Sequence, residues 1–331
     1  MPQPPVKIAI NGFGRIGRAL LRILMREGDD FDIVLINDIE PLQTCAYLFE
    51  YDSIYGPWPG TVATGPERLI VDGQSLSFHA ASDLRTLDLV GVDLVLECTG
   101  MAGTRAVAAR GLEAGACAVL VSGPAAEADI TLVLGANDDK LGHQQIISNA
   151  SCTTNALAPL ARLLDEAYGL ISGQMTTVHC YTGSQPTVDK PRAAPERSRA
   201  AALSMVPTST SAQAQTSLVL PHLAGRIEAR AIRVPTASVS AIDLTLQTEQ
   251  PTTVEAVNSL LKSAAARSPV FGWTEQPLVS SDLRARPESI VLCGRETSVS
   301  TGGLLRVFGW YDNEWGFSNR LLDMARLIAR R

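Results

Sequence analysis

The stretch from Lys7 to Gly17 constrains this chain of 331 residues more than any other. Lys7–Asn11 is an apolar run of strand length and Arg15–Glu27 carries apolar residues at helical spacing. Gly12-Phe13-Gly14-Arg15-Ile16-Gly17 spans the turn between them. A GxGxxG string alone is common in loops. Set between a strand and a helix, with Asn37-Asp38 closing a second strand Ile33–Asn37, it describes the opening βαβ unit of a dinucleotide-binding sheet. Gly12 permits the tight turn, Gly14 lets the backbone approach a pyrophosphate, and Gly17 allows close helix–strand packing. The free N–H groups at the helix start then face the diphosphate. Asp38 lies 21 residues past Gly17. Its carboxylate would accept from the ribose hydroxyls and repel a 2′-phosphate, so NAD is expected rather than NADP.

The rest of the first half continues the alternation. Val92–Cys98, Ala118–Ser122 and Thr131–Leu134 read as strands and Thr104–Ala114 as a helix, which together predict a doubly wound parallel sheet. The second half has longer strands, Met175–Tyr181, Ala229–Val234, Val239–Thr248 and Leu304–Trp310. In the third, Ile242, Leu244 and Leu246 alternate with Asp243, Thr245 and Gln247. Such alternation suits an antiparallel sheet with one covered face. The expected organisation is therefore α/β. A Rossmann-type nucleotide domain covers 1–150, and an α+β catalytic domain with a mostly antiparallel sheet covers 151–316. A final helix, 317–331, returns to the first domain. Met1–Pro5 reads as a frayed end without the features of a signal peptide, which points to the cytoplasm.

A net charge of -6 gives no basic excess for nucleic acid, and no apolar run reaches the length of a membrane span. Six cysteines are spread over 45, 98, 117, 152, 180 and 293, with no CxxC pair. Neither a structural metal site nor a disulfide framework is expected, and most of the thiols should be buried and reduced. Cys152 differs. In Ser148-Asn149-Ala150-Ser151-Cys152-Thr153-Thr154-Asn155, Ser151 is a good N-cap for the helical pattern of Ala156–Leu164. Cys152 then falls in the first turn, where N–H groups and the helix dipole depress a thiol's pKa. His179 closes the strand Met175–Val178 and would hold or deprotonate the thiol if the two met. A buried cysteine and a capping histidine are equally compatible with the spacing. His79, His143 and His222 read as surface residues.

These residues resemble the phosphorylating glyceraldehyde-3-phosphate dehydrogenase family from about Val6 to the C-terminus. Ile10–Arg18 (INGFGRIGR), Ser148–Asn155 (SNASCTTN), Arg199–Thr210 (RAAALSMVPTST), Ala231–Thr236 (AIRVPT) and Trp310–Phe317 (WYDNEWGF) carry the likeness. The resemblance implies a homotetramer that oxidises glyceraldehyde 3-phosphate with NAD and inorganic phosphate. Cys152 would form a thiohemiacetal and then a thioester, with His179 as acid–base. Thr182 and Arg233 would hold the substrate's phosphate. Ser151, Thr153, Thr210 and Ser211 would hold the attacking phosphate, with Arg197 beside both. Arg15 and Ile16 would meet the diphosphate, Ser122 the nicotinamide ribose and Asn313 the carboxamide.

Departures from the family pattern include Gly183-Ser184 where Asn-Asp is usual, Ser211 for glycine, Gln213 or Gln215 at an aligned lysine, Ala156 for a second cysteine, Phe317 for tyrosine and Tyr55 for histidine. They bear on substrate and phosphate affinity and leave the reaction type intact. Some motif residues also admit plain structural roles. Arg199 reads as an ion-pair or interface residue, and Thr208–Thr210 could simply cap the helix that follows. Three other functions compete. Erythrose-4-phosphate dehydrogenase usually lacks a threonine at Thr182 and alters Pro207–Thr210. A Cys–His hydrolase has no need of Asp38. A non-catalytic NAD-binding protein would have no reason to keep Cys152, His179, Thr182, Arg233 and Asn313 together.

Overall fold

The computed structural model describes residues 4–331, so part of the expected frayed end Met1–Pro5 lies outside the described residues. The chain divides into two compact units. One runs up to Leu132, takes in Asp139–Ala150 and ends with Leu321–Arg331; the other comprises Val133–Asp138 and Ser151–Arg320.

The first unit holds a nine-stranded sheet. Its spatial order is Ile130–Thr131, Ile146–Ser148, Ala118–Val121, Leu94–Glu97, Val6–Asn11, Phe31–Asn37, Gln74–His79, Arg68–Val71 and Val62–Gly65. The first seven strands are parallel. Leu94–Glu97 and Ala118–Val121 are buried along their whole length, as parallel strands covered on both faces must be. The order reverses beside Val6–Asn11, which puts the glycine turn at the switch point where such sheets bind ligands.

Two expectations need correcting here. The helix expected over Thr104–Ala114 is two single turns, Arg105–Ala108 and Arg110–Glu113. Gly111, a weak helix former, lies in the second and presses on the sheet: a Cβ there would come within 2.9 Å of Val119 and 3.0 Å of Val95. The strand expected over Thr131–Leu134 is only Ile130–Thr131. The last helix, Trp315–Ala329, is tied within the first unit by Arg326, whose guanidinium donates to Asp30 (2.6 and 3.1 Å) and lies 5.0 Å from the Phe31 ring centre.

The second unit is built on an eight-stranded sheet. Val206–Thr208, Ile227–Val234, Leu170–Cys180, Ser240–Thr248, Leu305–Tyr311, Ile290–Cys293 and Phe271–Thr274 follow one another, and Ser298–Val299 adds to Leu305–Tyr311. Pairing is antiparallel except between Leu170–Cys180 and Ile227–Val234 and between Phe271–Thr274 and Ile290–Cys293. Ile242, Leu244 and Leu246 are fully buried, so the alternation in the sequence does mark the covered face. Helix Cys152–Tyr168 buries most of its first three turns.

Candidate active site

In the first unit the three glycines have distinct geometries. Gly12 has φ +94°, and a Cβ there would sit 2.6 Å from the Thr99 nitrogen. A Cβ on Gly17 would strike the Gly12 carbonyl at 2.1 Å, whereas one on Gly14 would meet nothing within 4 Å. The turn is therefore closed below and open where helix Arg15–Glu27 starts. Gly14 stands at the N-cap and has no side chain to cap that helix, whose positive dipole end faces the open turn. Asp38 braces the turn: the Phe13 N–H donates to Oδ2 (2.6 Å) and the Glu40 N–H to Oδ1 (2.9 Å). Each oxygen keeps a lone pair for a ribose hydroxyl. A buried ladder supports the loop from below, in which Asn37 donates to Asn11 (2.8 Å) and Asn11 to Glu97 (2.5 Å). Arg15 is ion-paired with Asp52 and stacked near Tyr55, so it would reach a diphosphate through its backbone rather than its side chain. The Ser122 hydroxyl lies near the Cys98 thiol and partly offsets the burial that raises it. An open Gly14, an uncapped helix start and a carboxylate with spare acceptor capacity fit a dinucleotide.

In the second unit Ser151 is the N-cap of helix Cys152–Tyr168. Its backbone is extended (φ −92°, ψ 160°) and its Oγ accepts the Thr154 N–H at 3.1 Å. The preceding Ala150 takes φ +55°, a costly conformation for a residue with a Cβ, and this bend delivers the chain to the cap. Cys152 Sγ lies 3.8 Å from His179 Nε2. His179 Nδ1 is 2.7 Å from the Cys180 carbonyl, which only accepts, and 2.8 Å from Arg233 Nη1, which only donates, while Nε2 faces the thiol. His179 and Arg233 are partners on adjacent parallel strands and share one face. Arg233 Nη1 donates to the same carbonyl at 3.0 Å.

Ser151, Cys152, Thr153, His179, Arg197, Thr210, Ser211 and Arg233 line one cavity of about 350 Å³, together with Thr177, Ser209 and Ala231, which the sequence did not single out. Thr182 and Asn313 do not line it. Thr182 Oγ1 sits 2.9 Å from Ser184 Oγ, and the buried Asn313 Oδ1 accepts from the Cys180 thiol (3.1 Å) and Ser240 (3.4 Å). Arg199 pairs with Asp189 at 2.9 Å, the plain ion-pair role. Ser211 holds the N-cap position of helix Ala212–Val219 without a side-chain cap bond, and Thr210 supplies the cap, its Oγ1 accepting the Ala212 N–H at 3.2 Å.

Burial raises the Cys152 thiol above its ordinary range, although Arg233 and the Thr153 N–H and hydroxyl pull it down. The depressed thiol expected from the helix start is thus overturned in the free protein, because desolvation outweighs the pull of Arg233 and Thr153. Burial first, and then Arg233, lower His179 to about 4. The pair is uncharged at neutral pH, with the imidazole beside the thiol. Of the other cysteines, burial holds Cys45 up at about 11 and Cys98 and Cys180 at about 12. Cys117, expected to be buried, is exposed. Among the described residues no cluster could hold a metal, and no helix is long and apolar enough to cross a membrane.

A helix-start thiol beside an imidazole, in a cavity lined by two guanidinium groups and several hydroxyls, has the chemistry for covalent attack on an anionic electrophile. Comparison with known proteins makes this specific. Residues 6–105 match the family model described as glyceraldehyde 3-phosphate dehydrogenase, NAD binding domain, and residues 151–313 match its C-terminal domain. The chain is 47% identical to glyceraldehyde-3-phosphate dehydrogenase of Xanthobacter flavus, covering 98% of this chain and 99% of that protein. It is 45% identical to the enzyme of Cereibacter sphaeroides and 43% identical to glyceraldehyde-3-phosphate dehydrogenase 1 of Bacillus subtilis, at the same coverage. The chain belongs to the glyceraldehyde-3-phosphate dehydrogenase family, and it is an NAD-dependent oxidoreductase.

Proposed function

We propose that this enzyme converts glyceraldehyde 3-phosphate and inorganic phosphate to 1,3-bisphosphoglycerate, with Cys152 as nucleophile and His179 as acid–base. The observation that carries this is the 3.8 Å approach of Cys152 Sγ to His179 Nε2 in a cavity that Arg197 and Arg233 also line. Sγ attacks the aldehyde carbon while its proton passes to Nε2, and Nε2 hands that proton to the former carbonyl oxygen to give the thiohemiacetal. Bound NAD supplies a two-electron hydride acceptor. His179 takes the hydroxyl proton as the carbon is oxidised, which leaves a thioester on Cys152. A phosphate oxygen then attacks the thioester carbon, the C–S bond breaks, and sulfur leaves as thiolate to recover its proton from Nε2. A thioester keeps enough free energy for an acyl phosphate to form; a serine ester would keep less.

Arg233, with Thr182, is assigned to the substrate's phosphate. Thr210 and Ser211 are assigned to the attacking phosphate, with Ser151 and Thr153 at the edge of that site and Arg197 beside both. Charge-assisted bonds from Arg197 and Arg233 suit dianions. Residues 1–150 with 317–331 serve as the NAD-binding domain and 151–316 as the catalytic domain. The enzyme works as a homotetramer in the cytoplasm, where NAD, phosphate and reduced thiols coexist. The deciding assay follows NADH absorbance with glyceraldehyde 3-phosphate, with and without phosphate or arsenate, and repeats it with erythrose 4-phosphate. A phosphate-dependent steady state with the first aldehyde is expected. A higher kcat/KM with the second would transfer the assignment to that sugar phosphate.

A further inference from the structure

Gln215, on helix Ala212–Val219, is buried and reaches across to the start of the cysteine-bearing helix. Its Oε1 accepts the Ser151 N–H at 2.9 Å and the Thr154 hydroxyl at 2.9 Å. The amide orientation follows from the first bond, since a backbone N–H cannot face Nε2. An amide oxygen only accepts, so the single Thr154 hydroxyl hydrogen is committed to Gln215. Ser151 Oγ lies 2.7 Å from Thr154 Oγ1, and with that hydrogen committed Ser151 must be the donor. Both donors of Ser151, its N–H and its hydroxyl, are thereby turned inward. Ser151 still lines the cavity beside Cys152, but there it offers an anion only lone pairs.

We propose that Gln215 sets the strength of the site for the attacking anion by withdrawing the two Ser151 donors from it. This builds on the acyl-transfer function proposed above. Thr210, Ser211 and Arg197 are left to bind inorganic phosphate, and Thr210 Oγ1, which accepts from Ala212, keeps its own hydrogen to give. Gln215 does not line the cavity and is a positioning residue acting through Ser151.

The test uses Gln215→Ala, the shape-conserving Gln215→Met and, independently, Thr154→Val, which cuts the chain at its middle and frees the Ser151 hydroxyl alone. Two readings are taken: the inorganic phosphate concentration that half-protects Cys152 from iodoacetamide, and the KM for phosphate in the coupled reaction. One or two donors returned to the anion should lower both by about three- to tenfold in the Gln215 variants, and by less in Thr154→Val. The KM for aldehyde and the pre-steady-state NADH burst should stay unchanged. A residue that merely braces the helix would instead slow the burst and leave phosphate protection where it was, or weaken it. Unchanged or higher phosphate constants in Gln215→Met and Thr154→Val would overturn the proposal. Failure of the acyl-transfer function would appear separately, as an unmodified enzyme with no aldehyde-dependent burst, and the protection assay would still judge Gln215.

Discussion

In the folded chain His179 is closed off from water and faces the Arg233 guanidinium, and both disfavour its imidazolium, which holds the group at about 4. In the unfolded chain it titrates near 6.5. Between these values the unfolded state binds more protons, so this residue's contribution to stability is complete above pH 6.5 and is lost as pH falls toward 4. The loss across that window is at most ~3 kcal/mol. The melting temperature should fall more steeply between pH 7 and 4.5 in the native protein than in His179→Gln. Parallel slopes would mean that the imidazole is solvated. Arg233 also separates the two phosphate roles. A lost charge-assisted bond costs ~1.5–3 kcal/mol, so Arg233→Ala should raise the KM for glyceraldehyde 3-phosphate ten- to a hundredfold and spare NAD binding. Thr210→Ala should instead raise the KM for phosphate and leave the NADH burst nearly intact, because the burst precedes phosphate attack. An abolished burst with a fixed phosphate KM would reverse the assignment. Asp38→Ala should narrow the preference for NAD over NADP by removing the charge that opposes a 2′-phosphate. Equal kcat/KM for both cofactors in the native enzyme would show that the carboxylate serves only to brace Phe13.

Helix Arg15–Glu27 depends on a contact that its own sequence does not announce. Arg22 is 1% exposed and donates to the Phe49 (2.6 Å) and Gly56 (2.9 Å) carbonyls, flanked by the Phe49 and Trp58 rings. Arg22→Leu would strand two carbonyls among aromatic side chains and should cost ~2–4 kcal/mol. Arg22→Lys should recover under half of that, since one ammonium cannot reproduce the planar two-donor fork. Trp58 fluorescence during urea unfolding reads this locally; an unshifted midpoint in Arg22→Leu would show that the carbonyls find water. Elements governed by neighbours in sequence were legible from the sequence. The glycine turn, the Ser151 cap and the alternation of Ile242, Leu244 and Leu246 each follow from spacing alone. The antiparallel ribbon Val62–Gly65, Arg68–Val71 and Gln74–His79 was missed, although Asp72-Gly73 (φ +48° and +83°) is a two-residue hairpin signal. Gln215 and Tyr311 were out of reach for a different reason. The Tyr311 hydroxyl bonds Thr153 (2.9 Å) and Thr177 (2.8 Å), and such contacts join residues 61 to 158 positions apart, which no local pattern encodes.

Among the large apolar side chains that remain in water on a single copy of the chain, two groups stand on the second unit. Leu203 (84% exposed) and Met205 (73%) stand on the segment leading into Val206–Thr208. Val178 and Leu304 line an open groove of about 830 Å³ on the face of the sheet opposite His179, and Ile171 is exposed on the same strand as Val178. Apolar surface of this kind marks interfaces, and a tetramer of dihedral symmetry needs more than one self-complementary patch per subunit. Four copies of a 35.3 kDa chain should sediment as one species of about 140 kDa at micromolar concentration. Leu203→Asp with Met205→Asp should break one kind of contact, and Val178→Asp with Leu304→Asp another. If the two patches form different interfaces, each double variant should give a dimer of about 70 kDa and the four changes together a monomer near 35.3 kDa. An unmodified protein that sediments as a monomer would remove the tetramer. A tetramer that survives both pairs of aspartates would locate its interfaces elsewhere on the chain.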